Sequence, residues 1–293
     1  MLDSTALHAF AVFAEDTNLS RAARRLGLSQ PAVHAQLRRL ADALGVPLYH
    51  RVGRGLSLTR EGIEVAAFAR DAEERARDLT ARLGGEQGER RLVLATGAGA
   101  LLHVLGPGLR AFGKTYAGRL EVMTADAPAA IDAVLRGAAH VGVAALDAVP
   151  EGLVATRLTD APQRLVVPRG HPLARTGPVS LTELEGQRMV LPPEGRPQRR
   201  TLDAGLAAKG VRVRVGAVAV GWDVVLRLVE LGSGIAIVNG TVPIPRGLVA
   251  RAVRELPRVR YVALTRPAPR ADPAGLVAAL REHGDGWRSK ERR

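Results

Sequence analysis

Eight arginines, Arg21, Arg24, Arg25, Arg38, Arg39, Arg51, Arg54 and Arg60, fall between Thr17 and Arg60, a stretch whose one acid is Asp42. A guanidinium keeps its charge at any physiological pH and presents a planar fork of donors that matches phosphate oxygens. A one-sign cluster of this density points to a polyanion, nucleic acid before an anionic membrane. The whole chain leans the same way: 42 Lys and Arg against 29 Asp and Glu give a formal charge of +13.

Other chemistries find little to work with. The seven histidines, His8, His34, His50, His103, His140, His171 and His283, include no pair at i, i+4 and no HExxH. There is no cysteine, which excludes disulfides and thiolate metal sites and fits a reducing compartment. No GxSxG elbow and no P-loop occur. Gly97-Ala98-Gly99 opens like a dinucleotide loop, but Leu102 stands where the third glycine is needed. No catalytic residue, metal or cofactor is therefore expected, and the chain reads as a binding protein rather than an enzyme. No apolar run reaches the roughly 18 residues of a membrane span, so no membrane partner is expected. Met1 to Leu7 carries neither a basic start nor a long apolar run, so no secretory signal is read and the expected location is cytoplasmic.

The elements that must hold the arginines are short. Ser20 to Leu26 reads as a helix that turns Ala22, Ala23 and Leu26 inward, ending in a tight turn at Gly27-Leu28-Ser29. A second helix starts with Ser29 as N-cap and Pro31 in the first turn, where a missing N–H costs nothing. Val33, Leu37, Leu40 and Leu44 form its inward stripe, Gln30, His34, Arg38 and Arg39 are left on the outside, and Gly45 ends it. Extended runs at Pro47–Arg51 and Leu56–Leu58 flank a turn at Gly53-Arg54-Gly55. This is a helix-turn-helix with a wing. A preceding helix, Ser4 to Ala14, has Ser4 as its expected cap and packs Leu7, Phe10, Ala11 and Ala14 on the same core.

The run Ala22-Ala23…Leu26…Ser29-Gln30-Pro31-Ala32-Val33…Gln36-Leu37…Leu40…Leu44-Gly45…Leu48-Tyr49…Arg51…Leu58-Thr59…Gly62 resembles the LysR-type transcriptional regulators. His34 and Ala41 depart from the Ser or Thr and the Glu usual there. The resemblance implies double-stranded promoter DNA, a small-molecule effector and further copies of the chain as partners, in a homodimer or homotetramer; RNA polymerase is admitted as another. It implies DNA contacts from Asn18, Ser20, Arg21, Ser29, Gln30, Pro31, Ala32, His34, Arg38, Arg51, Arg54 and Thr59. A nonspecific nucleoid-type DNA binder without effector is the alternative, separable by comparing promoter with random DNA at fixed salt.

After the wing, Gly62, Val65, Ala69, Ala72, Ala76, Leu79 and Leu83 alternate steps of three and four along one helix, a seam for a dimerising linker. The polar, glycine-rich 84–89 is a hinge. Beyond it strands alternate with helices of about ten residues, which argues for βαβ units. The first of these helices, Leu101 to Phe112, is expected to turn Leu102, Leu105, Leu109 and Phe112 inward. The expected fold class is an α/β effector domain, two-lobed and periplasmic-binding-protein-like, behind an all-α winged helix-turn-helix and a long linker helix. The expected domains are 1–59, 60–90 and 91–293. Lobe boundaries at 91–162 plus 266–285, and 163–265, are implied by the resemblance.

Ligands of open α/β sheets bind off the carboxyl ends of strands. The expected effector residues are Thr96, Gly97, Ala98, Gly99, Ala125, Asp126, Pro193, Arg196, Gln198, Trp222 and Asn239. Gly97 to Ala100 precede a helix, whose free N–H groups favour an anion. Thr96 lies where the resemblance implies an effector-contacting hydroxyl.

Overall fold

The computed structural model describes residues 3–53, 55–83, 90–267 and 271–287. Arg54, the hinge at 84–89 and the tail at 288–293 lie outside the described residues.

Helices α1 (Ser4–Phe13), α2 (Leu19–Leu26) and α3 (Gln30–Leu44) pack around Phe10, Phe13, Val33, Leu37 and Leu40, all buried. The cap of α1 is Asp3, whose carboxylate accepts from Thr5 N–H, so Ser4 is the first helical residue and not the cap. Gly27 and Gly45 end α2 and α3 at φ 66° and 70°, left-handed positions where a Cβ is penalised. Strands β1 (Tyr49–Val52) and β2 (Gly55–Leu58) form the wing, pairing Tyr49 with Leu58 and Val52 with Gly55. Tyr49 ties the wing to the core through an edge contact with Phe13, ring centres 5.2 Å apart.

Helix α4 spans Arg60–Leu83. Its first turns belong to this domain: a Cβ on Gly62 would lie 1.9 Å from the Leu48 carbonyl oxygen, and Ala66 and Ala69 are buried. Gly62 and Ala69, two members of the expected dimer seam, are thus spent within the subunit. Among the described side chains of α4, the large apolar ones left in solvent are Phe68 and Leu79.

The first lobe is a five-stranded sheet ordered β4 (Arg119–Thr124), β3 (Arg91–Thr96), β5 (Val141–Ala145), β12 (Val259–Thr265), β6 (Val154–Ala161). β3 runs parallel to β4 and β5, while β12 runs antiparallel to β5 and β6. The sheet is therefore mixed rather than purely βαβ. Side chains of β3 alternate across it. Leu92 and Leu94 meet α6 (Gly106–Phe112) and α10 (Ala271–Glu282) on one face. Val93 and Ala95 meet α7 (Ala127–Leu135) on the other.

Two expectations fail here. β12, placed by sequence in the second lobe, lies inside the first sheet, so the chain returns to the first lobe before Val259. Leu102, expected inward, is 60% exposed. Residues Leu101–Leu105 form a π-helical turn between α5 (Ala98–Ala100) and α6. Pro107 has no N–H to offer the His103 carbonyl and its ring crowds that oxygen; the widened turn absorbs this and shifts the helical face.

The second lobe has β7 (Gln163–Pro168) between antiparallel β10 (Ala236–Asn239) and β11 (Leu248–Val253). Parallel β8 (Arg188–Leu191) and β9 (Arg214–Val218) join through a bridge from Met189 to Ile235. Helices α8 (Pro197–Ala208) and α9 (Trp222–Glu230) cover its faces. A 3-10 helix at Leu181–Leu184 carries a capping box between Ser180 and Glu183. Glu183 also pairs with the buried Arg251, whose guanidinium donates to the carbonyls of Leu173, Gly177 and Pro178.

Candidate DNA interface and effector cleft

Ser29 caps α3: its hydroxyl oxygen accepts from Ala32 N–H at 3.3 Å, and the hydroxyl hydrogen remains available to a phosphate. Gln30, His34 and Arg38 recur every four residues, so they line one face, and all are exposed. Pro31 is exposed and Ala32 half-buried beside them. Ser20 Oγ donates to Gln30 Oε1 at 3.2 Å, which links α2 to the first turn of α3. Arg24, Arg38, Arg39 and Arg51 have no carboxylate partner among the described residues.

Other expected contacts have intramolecular tasks. Asn18 caps α2, its side-chain oxygen accepting from Arg21 N–H at 3.0 Å. Arg21 pairs with Asp16 at 3.0 Å, and Arg25 with Glu15. That second hydrogen bond raises the pKa of Arg25 further. Thr59 is the cap of α4: its hydroxyl donates to the Pro47 carbonyl at 2.7 Å and accepts from Gly62 N–H at 2.9 Å. These two bonds give Thr59 the task of fixing the wing to the linker helix.

The cleft residues arrive from both lobes. Thr96, at the end of β3, is 0% exposed, and its Oγ1 has no hydrogen-bond partner among the described residues. A buried hydroxyl without a partner is costly, and such a group calls for a water or ligand. Gly97 precedes α5 without a side-chain cap, so the first N–H groups of that helix remain open to an acceptor. Ala98 is exposed and Gly99 half-buried. A Cβ on Gly99 would lie 3.3 Å from Trp222 Cδ1, so the indole of the second lobe sits against the helix start of the first. Ala125 N–H bonds the Thr96 carbonyl at 2.9 Å, and Asp126 caps α7 through Ala129 N–H at 3.2 Å.

Two side-chain contacts cross between the lips. Arg196 Nη1 reaches Asp126 Oδ2 at 3.4 Å, and His103 Nε2 lies 3.2 Å from Asp223 Oδ2. Sequence reasoning missed His103 and Asp223, because neither lies at the carboxyl end of a strand. Pro193 and Gln198 are half-buried near Arg196 in the chain, and Arg199 is held by Asp203 at 2.9 Å. Asn239 is buried, and its amide nitrogen donates to Tyr261 Oη at 2.6 Å, so this side chain joins the two lobes. Burial pushes the Tyr261 hydroxyl pKa up. Among the described residues no group of His, Asp and Glu is placed to hold a metal ion, and no helix is long and apolar enough to cross a membrane.

Known proteins match along nearly the whole chain. Residues 4–63 match the bacterial regulatory helix-turn-helix protein, lysR family, and residues 85–284 the LysR substrate binding domain. The HTH-type transcriptional regulator IlvR of Caulobacter vibrioides is 30% identical over 270 residues, covering 88% of this chain and 86% of its own. The RuBisCO operon transcriptional regulator of Allochromatium vinosum is 28% identical over 243 residues, 80% of this chain and 78% of its own. A full-length OxyR variant from Pseudomonas aeruginosa superposes with a TM-score of 0.69 at 17% identity, covering 96% of this chain and 95% of that one. Full-length CbnR complexed with its target DNA gives 0.56 at 22% identity, covering 97% and 100%. At these identities the solved structures show the fold. The chain belongs to the LysR family of transcriptional regulators, with a DNA-binding helix-turn-helix domain and an effector-binding domain.

Proposed function

We propose that paired copies of this chain lay the first turns of α3 into successive major grooves of a promoter operator. Gln30, Pro31, Ala32 and His34 face the base edges, and Arg38, Arg51 and the Ser29 hydroxyl take phosphates. Arg54 is proposed for the minor groove beside the wing. Arg21, Asn18 and Ser20 support this face more than they read sequence, given their bonds within the subunit. The observation that carries the reading is the outer face of α3. It is open to solvent and flanked by unneutralised guanidinium groups, while Val33, Leu37 and Leu40 bury the opposite face.

Pairing is supported by apolar side chains left in solvent at Phe68 and Leu79 on α4, and at Val122, Met123, Val215 and Val218 on two edge strands. The effector is a small anion bound between Thr96, the N–H groups after Gly97, and Arg196, with its apolar part against Trp222. It acts by favouring one arrangement of the copies over another. The protein works by binding rather than turnover, in the cytoplasm, with RNA polymerase as a neighbour at the promoter.

The test is Gln30→Ala. It should weaken binding to the promoter operator by about 1–3 kcal/mol relative to random duplex at the same salt. Equal loss on both duplexes would leave Gln30 a backbone contact and favour a nonspecific binder.

A further inference from the structure

Helix α7 begins at the effector cleft and ends on the DNA-binding domain. Asp126, its cap, faces Arg196 of the second lobe. Ala130, Ala133 and Val134 anchor its body to the first sheet. At the other end Arg136 Nε is held by Asp132 at 2.7 Å, and Arg136 Nη1 donates to the Ala14 carbonyl at 3.0 Å. Ala14 closes α1, and carbonyls at a helix end have no partner within the helix.

Gly137 follows at φ 71°, and a Cβ there would stand 3.3 Å from both Ala67 Cα and Arg70 Cδ of α4. The faces of α4 are divided accordingly. Ala66 is buried toward the helix-turn-helix, and Ala67 is buried against the first lobe. Arg266, just past β12, adds a bond to Asp71 of α4 at 2.6 Å. Arg60 and Glu151 are also 3.3 Å apart, but both are highly exposed and contribute little.

We infer that the corner Arg136–Gly137, with Arg266, is an intramolecular dock that fastens the DNA-binding domain and α4 to the first lobe of the same subunit. The consequence is a division of labour. The helix-turn-helix, α4 and the first lobe move as one body, and the second lobe is the part that an occupant of the cleft repositions. The inference rests on the reading of the cleft given above for its regulatory meaning, but not for the dock itself.

The chain has no cysteine, so labels go only where cysteines are placed. Donor and acceptor dyes on Ala43→Cys and Lys114→Cys in the full chain report the distance between α3 and the first lobe. The expected result is a single narrow short distance. Arg136→Met, which removes the bond to Ala14, should raise the longer-distance population about three- to tenfold. Ala67→Leu removes no bond but leaves no room at Gly137, and should act in the same direction. Both variants should bind a single half-site as the unaltered chain does, yet discriminate less between half-site spacings. A broad distance distribution in the unaltered chain, or distributions unchanged in both folded variants, would overturn the dock. Failure of the unaltered chain to prefer promoter over random DNA would instead sink the functional reading and leave the distance result to judge the dock.

Discussion

The outer face of α3 and the cleft between the lobes spend their polar groups in opposite ways. On α3, His34, Arg38 and Arg39 have no hydrogen-bonding partner among the described residues, and Gln30 meets a single hydroxyl. Along the cleft Arg196 faces Asp126, His103 faces Asp223, and Asn239 is bonded to Tyr261. Thr96 is the exception. The first surface is built to meet a partner whose charge is already in place, so association releases counterions and breaks little. The second is held by contacts between its own lips, so a ligand must replace bonds that already exist. Its affinity is then the difference between two sets of contacts. On the proposed assignment of the two sites, this contrast predicts salt-sensitive DNA binding and an effector affinity set by the strength of Arg196–Asp126 and its neighbours.

The sharpest way to break the comparison is to unfold one side alone. Leu37→Ala opens a cavity in the small N-terminal core and should cost about 2–5 kcal/mol. In a denaturation experiment that loss should appear in DNA binding at temperatures where the effector domain keeps its structure. Joint melting of both domains would mean they are energetically one unit.

A second variant tests whether the cleft polar groups serve structure or ligand. Asn239→Ala leaves the buried Tyr261 hydroxyl short of a donor and should cost about 1–3 kcal/mol in the unfolding of the two lobes. Effector affinity should fall only through altered lobe packing. Unchanged stability with lost effector binding would return Asn239 to the ligand contacts.

The smallest effect concerns pH. The Glu183 carboxyl is held below the usual carboxylate range, first by the Ser180 backbone N–H and then by the Arg251 guanidinium, against the opposing pull of burial. A carboxylate with a depressed folded pKa stabilises the fold above its unfolded pKa, and that contribution disappears as pH falls through the folded value. The second lobe should therefore loosen under acid conditions below the ordinary carboxylate range. Glu183→Gln should flatten this part of the stability profile, measured by thermal melting against pH. An identical acid slope in the variant would mean Arg251 is held by its three carbonyls alone.

Legibility followed the same division. The helix-turn-helix could be read to within a residue or two because its signals are local: Ser29 as cap, Pro31 in the first turn, glycines at left-handed ends, one apolar stripe. Asp3 was missed as the cap of α1 because Ser4 offers the same chemistry one residue later. The two lobes were legible as alternating strands and helices, but their sorting into sheets was not. β11 and β12 are similar apolar runs only a few residues apart, yet they belong to different sheets, a choice fixed by partners distant in sequence. β6 is hard to read locally, because its exposed and buried residues follow no clean alternation. Leu102 was misplaced because the effect of Pro107 on the preceding turn changes helical phase. The bonds that Arg136, Arg196 and Arg266 make across the fold leave no mark in any local pattern, since a long cationic side chain fits many partners.

The position of β12 between β5 and β6 has a consequence for how the protein is made. The strand that joins the two halves of the first sheet leaves the ribosome only after the entire second lobe has been synthesised. The N-terminal helices can assemble as soon as they emerge. The nascent first lobe must wait with β5 and β6 exposing unpaired edges, and a chain interrupted before Val259 would keep its DNA-reading end while lacking the strand that joins those two.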